Sequence, residues 1–135
     1  MAVQYSVDVR NGMLNAIETA IGVSAVLKIR SGAQPATCAT ADSGTVLVSY
    51  TLASDWAAAA SSGSKSVSST PLVASAVASG TAAHYRFYAS DGTTCHEQGA
   101  ITATGGGGDM TIDNPTITSG QAVTITAFTK TMGGA

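Results

Sequence analysis

Charged and aromatic side chains are both scarce in this chain. Only 10% of its 135 residues are charged and 5% are aromatic, whereas typical soluble domains carry roughly 25% charged residues. The net charge is −2 and the six basic residues are scattered, so no basic patch predicts binding to nucleic acid or to an anionic membrane surface. The surface must be built from Ser, Thr, Gly and Ala, and so little charge protects it only weakly against association.

Long apolar runs are missing as well, and none could span a bilayer. The N-terminus, M-A-V-Q-Y-S-V-D-V-R, lacks a charged segment followed by an apolar one, so we expect no signal peptide. Synthesis in the cytoplasm is the expectation, with any later exit as part of a larger particle. The length predicts a single domain over residues 1–135.

The chain has two cysteines, Cys38 and Cys95, each in a loop-like context of Thr, Ala or Gly. Free thiols are the expectation for a cytoplasmic protein. The alternative is a disulfide that forms after release into an oxidising medium and closes a long loop. The sequence leaves both states open, because it does not indicate how closely the two Cα atoms approach.

Residues 6–22 have the periodicity of an amphipathic helix. The apolar stripe consists of Leu14, Ile17 and Ile21. Gly22 is a suitable C-terminal stop. Because Gly12 interrupts the pattern, a helix that begins only at Asn11 is the alternative. The stripe has to dock either on the chain's own sheet or on a neighbouring subunit.

The remaining body, residues 25–130, reads as short strands between Gly-rich and Ser-rich turns. The predicted strands are Ala25–Arg30, Thr45–Leu52, Leu72–Val77, Ala82–Ala89, Thr94–Thr104, Asp109–Ile112 and Ala122–Lys130, with a weak strand inside Ser61–Ser69. Ser31–Gly44 reads as a long loop. Lys28 and Arg30 alternate with apolar neighbours, so their face is expected to point to water or to a partner.

A short Ala-rich helical turn is predicted after Ser54, which would cap it, and Trp56 is expected to anchor this turn in the core. The clearest strand is Gln121–Lys130. Its alternation places one set of residues on one face and the other set on the opposite face. The first set is Val123, Ile125, Ala127 and Thr129, and the second is Ala122, Thr124, Thr126 and Phe128. The fold class is therefore mainly β: a small antiparallel β-sandwich or barrel with one N-terminal amphipathic α-helix.

No motif predicts catalysis, a cofactor or a bound metal. The glycine run Gly105–Gly108 ends in an acidic residue and lacks the lysine of a phosphate loop, so it is interpreted as a flexible hairpin tip. The potential metal ligands Cys38, His84, Cys95 and His96 lack the paired spacing of zinc sites. His84 is interpreted as a polar residue on the exposed side of its strand. No nucleophile motif is present, and we expect no enzymatic activity.

Several segments resemble small virion proteins encoded in the structural gene clusters of tailed bacteriophages and prophages. Examples are R-N-G-M-L-N-A-I-E-T-A-I-G (Arg10–Gly22) and N-P-T-I-T-S-G-Q-A-V-T-I-T-A-F-T (Asn114–Thr129). The others are Ala25–Ala36, Gly92–Gly99 and Thr102–Thr111. The resemblance covers nearly the whole chain, and Ser61–Ser69 shows it least.

The resemblance implies a structural protein of the virion, with other virion proteins, above all the major capsid protein, as its partners. A capsid decoration, or cement, protein is the leading hypothesis, and a homo-oligomer, for instance a trimer, is expected. The hypothetical contact surface consists of Leu14, Ile17, Ile21, Lys28 and Arg30. A tail-tube, neck or fibre subunit is the alternative. A carbohydrate-binding sandwich is a third interpretation, which the scarcity of aromatic residues disfavours.

Overall fold

The computed structural model describes residues 3–68 and 70–134 of the chain. Across these residues a single helix, α1 (Val7–Ile21), is followed by eleven short strands. The strands are β1 Val26–Arg30, β2 Val46–Thr51, β3 Ser64–Ser66, β4 Leu72–Ser75, β5 Gly80–Thr81, β6 His84–Tyr88, β7 Cys95–Ala103, β8 Met110–Ile112, β9 Thr116–Ile117, β10 Ala122–Ile125 and β11 Thr129–Thr131. The predicted strands are thus present within a few residues, although the last of them is split in two.

Five strands form the main sheet, in the order β2, β1, β6, β7 and β8. Neighbours run antiparallel except β7 and β8, which run parallel. The other strands pair as ribbons, β3 with β11, β4 with β10 and β5 with β9. Each ribbon thus pairs a strand that precedes β6 with a strand that follows β8. The three pairs are nested in sequence, with β5–β9 innermost and β3–β11 outermost.

The hydrophobic core lies between one face of the main sheet and the ribbons. Leu27 and Phe87 are register partners on that face and are fully buried. The hydroxyl of Tyr50, on β2, donates a hydrogen bond of 2.9 Å to the Val123 carbonyl on β10. Sheet and ribbons therefore enclose one core beside a single N-terminal helix, which confirms the predicted mainly β fold class.

An aromatic cluster fills the centre of this core. Trp56 stacks on Phe87 with ring centroids 5.5 Å apart, and Phe87 stacks on Phe128 at 6.0 Å. Tyr85 meets Phe128 edge-on at 5.4 Å. Such pairs add roughly 0.5–1.5 kcal/mol each beyond the burial of their area. Trp56 lies in the core as predicted.

Helix α1 begins with Ser6, whose hydroxyl accepts a hydrogen bond of 3.3 Å from the Val9 amide. It ends at Gly22, whose φ of 85° lies in the left-handed region that glycine tolerates. The alternative of a helix that starts at Asn11 is therefore wrong. The apolar stripe docks on the chain's own body: Leu14 is 1% exposed, Ile21 is 3% exposed, and Ile17 packs against the core.

The predicted helical turn after Ser54 is wrong. This segment is extended, and Ala57 forms a bridge with Val67. The amide of Ser68 donates to the Trp56 carbonyl at 2.8 Å. A helix of so few residues is marginal in isolation, so the backbone pairing and the burial of Trp56 override the helix propensity of the alanines.

The alternation predicted over Gln121–Lys130 holds only in its first half. Val123 and Ile125 are buried on β10, but Ala127 is exposed and Phe128 is buried. The strand breaks after Ile125 because β10 pairs with β4 whereas β11 pairs with β3. The break turns the side chain of Phe128 into the aromatic cluster.

The glycine run Gly105–Gly108 is not a hairpin tip. It belongs to a short return loop after which β8 runs parallel to β7. The Gly108 amide donates to the Thr102 hydroxyl at 3.0 Å, and the Ala100 amide donates to the Asp109 carboxylate at 3.0 Å. A Cβ atom at Gly108 would lie 2.9 Å from that hydroxyl oxygen, so the close approach requires glycine.

Candidate functional site

The outer face of the main sheet is polar and is covered by the loop of residues 31–45. Side chains on this face alternate with the core residues of β1, β6 and β7. Arg30 is only 7% exposed and His84 is fully buried. The predictions that the Arg30 face points to water or to a partner and that His84 is exposed are therefore wrong. The segment that was predicted only as a long loop is folded over both residues.

Asp42 is the loop residue that neutralises this face. Its carboxylate lies 2.8 Å from the Arg30 Nη2 atom and 2.6 Å from the Arg86 Nη1 atom. The Tyr88 hydroxyl donates a further hydrogen bond of 2.7 Å. Burial opposes ionisation of Asp42, but the hydrogen bonds from Tyr88 and Arg86 and the two guanidinium charges outweigh it and lower its pKa.

Arg86 fastens the loop backbone to the sheet. Its Nη2 atom donates to the carbonyl of Thr37 at 2.9 Å and to that of Thr40 at 3.0 Å. Its Nε atom donates to the Gln98 side chain at 3.1 Å. The Arg86 guanidinium group thus donates its hydrogen bonds to other groups of the protein. The cluster therefore holds the loop in place and presents no anion site.

The five residues predicted as a contact surface do not lie together. Leu14 and Ile21 are buried under α1, whereas Arg30 is buried on the opposite face of the sheet. Lys28 is half-buried, donates to the Gly92 carbonyl at 2.9 Å and lies 5.0 Å from the centre of the Tyr88 ring. Leu14, Ile21 and Arg30 stabilise the fold, and they are not available to a partner.

A second buried polar group lies at the edge of the core. Lys130 pairs with Glu97, which also accepts a hydrogen bond of 3.0 Å from the Tyr85 hydroxyl. The Lys130 ammonium lies 4.8 Å from the centre of the Phe87 ring and 4.5 Å from that of Phe128. Burial lowers the pKa of Lys130, and Glu97 opposes that effect. The paired charges tie β11 to the sheet.

Potential metal ligands do not converge in the described structure. Within residues 3–68 and 70–134, no group of three or more His, Cys, Asp or Glu side chains could hold a metal ion. The one helix described there is too short and too polar to cross a membrane.

The N-terminal segment carries an exposed apolar surface that the helical stripe did not predict. We call it the N-terminal apolar surface. Its members, with exposures from 36% to 70%, are Val3, Tyr5, Val7, Val9 and Met13. Val7, Val9 and Met13 lie in α1 outside the stripe of Leu14, Ile17 and Ile21, so the helical periodicity gives no signal for this surface.

This surface continues along α1 into a shallow groove against the start of β7. The groove is lined by Met13, Ala16, Ile17, Ala20 and Ile21 from the helix and by His96 and Glu97 from the strand. Its lining is thus mostly small and apolar. Met13 belongs both to the groove and to the N-terminal apolar surface.

Comparisons with protein-family models, with curated proteins and with solved structures give no match for this chain.

Proposed function

We propose that this chain is a structural protein of a tailed-phage virion, and specifically a capsid decoration protein that binds the head lattice through the N-terminal apolar surface. The observation that carries the proposal is that surface. It places five apolar side chains in water at one end of the chain. Apolar side chains that stay exposed in the folded protein, when they lie close together, mark protein–protein contact sites.

Burial of these side chains on a partner is favourable by about 25 cal/mol for each Å² of apolar area removed from water. The partner is the assembled lattice of the major capsid protein, in keeping with the resemblance of Arg10–Gly22 and Asn114–Thr129 to small virion proteins. A protein that binds the assembled lattice and not the free capsid subunit stabilises the shell by mass action.

The inner polar groups also fit a structural role. The two clusters around Asp42 and Glu97 join segments that are distant in the chain, and each charge in them faces an opposite charge. They hold a loop and a C-terminal strand against the sheet. A domain secured in this way can present its N-terminal apolar surface without a large conformational change on binding.

The proposal is tested by co-sedimentation of the purified protein with heads of the phage that encodes it. We expect the wild type to sediment with the heads, and the triple variant Val3→Asp/Val7→Asp/Val9→Asp to stay in the supernatant. Carboxylates near the N-terminus of a helix are favourable, so α1 remains intact. The matched control is Val73→Asp/Val77→Asp, because both valines are exposed elsewhere on the chain.

Retained binding of the control together with loss of binding by the triple variant supports the proposal. Equal binding by both variants would exclude the N-terminal apolar surface as the contact. Failure of the wild type to bind heads would exclude decoration. Electron microscopy of the particle then gives the copy number, which is high for a decoration protein and low for a neck or fibre subunit.

A further inference from the structure

The loop of residues 31–45 carries Cys38 to the outer face of the sheet. Thr37 and Thr40 flank a tight turn in which the Thr40 amide donates to the Thr37 carbonyl at 3.1 Å. Both carbonyls accept hydrogen bonds from the same Arg86 nitrogen. Cys38 lies between these two anchored residues, so its position over the sheet is restricted.

Cys95 lies on the same face, at the beginning of β7. It is the register partner of Tyr88, just as Gln98 is the partner of Arg86. Gln98 itself holds the loop, because its side-chain amide donates to the Pro35 carbonyl at 2.7 Å. The loop therefore contacts β7 close to the two cysteines.

The two thiols are neighbours. The Cys38 side chain is close enough to Cys95 to raise the pKa of its thiol, and the Cys95 thiol also donates to the Glu97 carbonyl at 3.5 Å. Both residues are free cysteines and half-buried, so a small reagent can reach them.

We propose that Cys38 and Cys95 are a redox-sensitive pair that forms an intrachain disulfide with a low-molecular-weight disulfide, such as oxidised glutathione, as the oxidant. The Cys38 thiolate attacks one sulfur of the oxidant and expels the other as a thiolate. Cys95 then loses its proton and attacks the Cys38 sulfur of the mixed disulfide, which expels the second small thiolate. The two protein thiols are oxidised by two electrons, and the oxidant becomes two thiols that take up the two protons.

The order of attack follows from the surroundings of the two thiols. Burial and the neighbouring Cys38 thiol raise the pKa of Cys95 to about 12. Because the thiolate is the nucleophile, Cys95 is the poorer first attacker and acts as the resolving cysteine. This inference does not depend on the proposed function.

The bond would add a covalent link to a loop that Asp42 and Arg86 already hold. It would join two residues far apart in sequence, and such links restrict the unfolded chain most strongly. The native loop contacts already hold Cys38 near Cys95, so the folded state should favour the disulfide far more than the unfolded state does.

The test is incubation of the folded, reduced protein with oxidised glutathione. We expect the thiols titratable after unfolding in urea to fall from two to none, the mass to fall by two hydrogen atoms, and dithiothreitol to reverse both changes. The midpoint temperature of unfolding should rise by roughly 5–15 °C on oxidation. The equilibrium constant for oxidation should fall by at least about tenfold when the reaction is run in denaturing urea.

The Cys38→Ser and Cys95→Ser variants are the matched controls, and oxidation should leave the unfolding temperature of each unchanged. The proposal is overturned if the wild type keeps two titratable thiols, if it retains a glutathione adduct, or if it forms disulfide-linked dimers. An equal equilibrium constant in folded and unfolded protein would also overturn it, because the folded geometry would then contribute nothing.

Discussion

Replacement of Asp42 by alanine removes the carboxylate that lies between two buried guanidinium groups. The variant loses contacts of 2.8 Å to Arg30, 2.6 Å to Arg86 and 2.7 Å to the Tyr88 hydroxyl. Removal of one partner from a buried ion pair costs about 3–5 kcal/mol, because the other charge is left without compensation. The Asp42 side chain is 34% exposed, so water can reach the site. We therefore expect a loss of about 2–4 kcal/mol in the free energy of unfolding at pH 7.

The assay is unfolding in urea followed by the fluorescence of Trp56. This residue is the only tryptophan, is 2% exposed and stacks on Phe87, so its emission reports the integrity of the core. The control is Asp55→Ala, which removes an exposed carboxylate. Surface changes of that kind alter stability by no more than about 0.5 kcal/mol.

Acid provides a second, independent measure of the same variant. Burial opposes ionisation of Asp42, but the hydrogen bonds from Tyr88 and Arg86 and the guanidinium charges keep its pKa below the ordinary 3.8. Because the folded pKa is below the unfolded one, the stabilisation is complete above about pH 4 and is lost as the pH falls through the folded value. The difference in stability between wild type and Asp42→Ala should therefore narrow below about pH 4.

A loss of less than about 1 kcal/mol for Asp42→Ala at pH 7 would refute this expectation, since that is no more than an exposed salt bridge contributes. A difference between the two proteins that stays constant from neutral pH to the acid range would refute it as well. Either result would mean that the guanidinium groups are sufficiently compensated without the carboxylate.

Three further predictions concern two glycines and one histidine. Gly99→Ala should destabilise the fold by about 1–3 kcal/mol, because its Cβ would lie 2.6 Å from the buried Tyr85 ring. Gly12→Ala should stabilise it by about 0.5–1 kcal/mol in the same urea titration, since this helical site is open. Burial lowers the pKa of His84 below 6.5. Below about pH 6.5 the unfolded chain therefore binds one more proton than the folded protein does. The free energy of unfolding should decrease as the pH is lowered through this range. The His84→Asn variant should lack this dependence of the free energy of unfolding on pH. The control His96→Asn, at an exposed site, should keep it. The same pH dependence in both variants would count against a buried neutral imidazole at His84.

The features predicted correctly from sequence are those that leave a periodic pattern. The helical spacing of Leu14, Ile17 and Ile21 marks α1, and the alternation around Leu27 marks β1. Such patterns arise because burial on one face repeats with the geometry of the element. Trp56 could be placed in the core because large aromatic residues contribute so much buried area.

The candidate site was less predictable. The alternation of polar and apolar residues along a strand is the same whether the polar face contacts water or a loop. The polar face that carries Arg30 and His84 contacts the loop of residues 31–45. Asp42, which makes that contact possible, belongs to an irregular loop and has no periodic neighbours. The break before Phe128 could not be predicted from the alternation either. The two halves of the continuous segment Gln121–Lys130 pair in different ribbons, β10 with β4 and β11 with β3.

The nested pairing of the ribbons favours one order of strand pairing during synthesis of the chain. β5 can close on β9 across the shortest stretch of chain, and closure of that pair shortens the path that separates β4 from β10, and then β3 from β11. Residues 64–81 therefore emerge from the ribosome with three strands, β3, β4 and β5, whose partners have not yet been synthesised. Until the last strand is synthesised, those strands remain exposed to solvent with their edges unpaired, which leaves the nascent chain open to association with other chains.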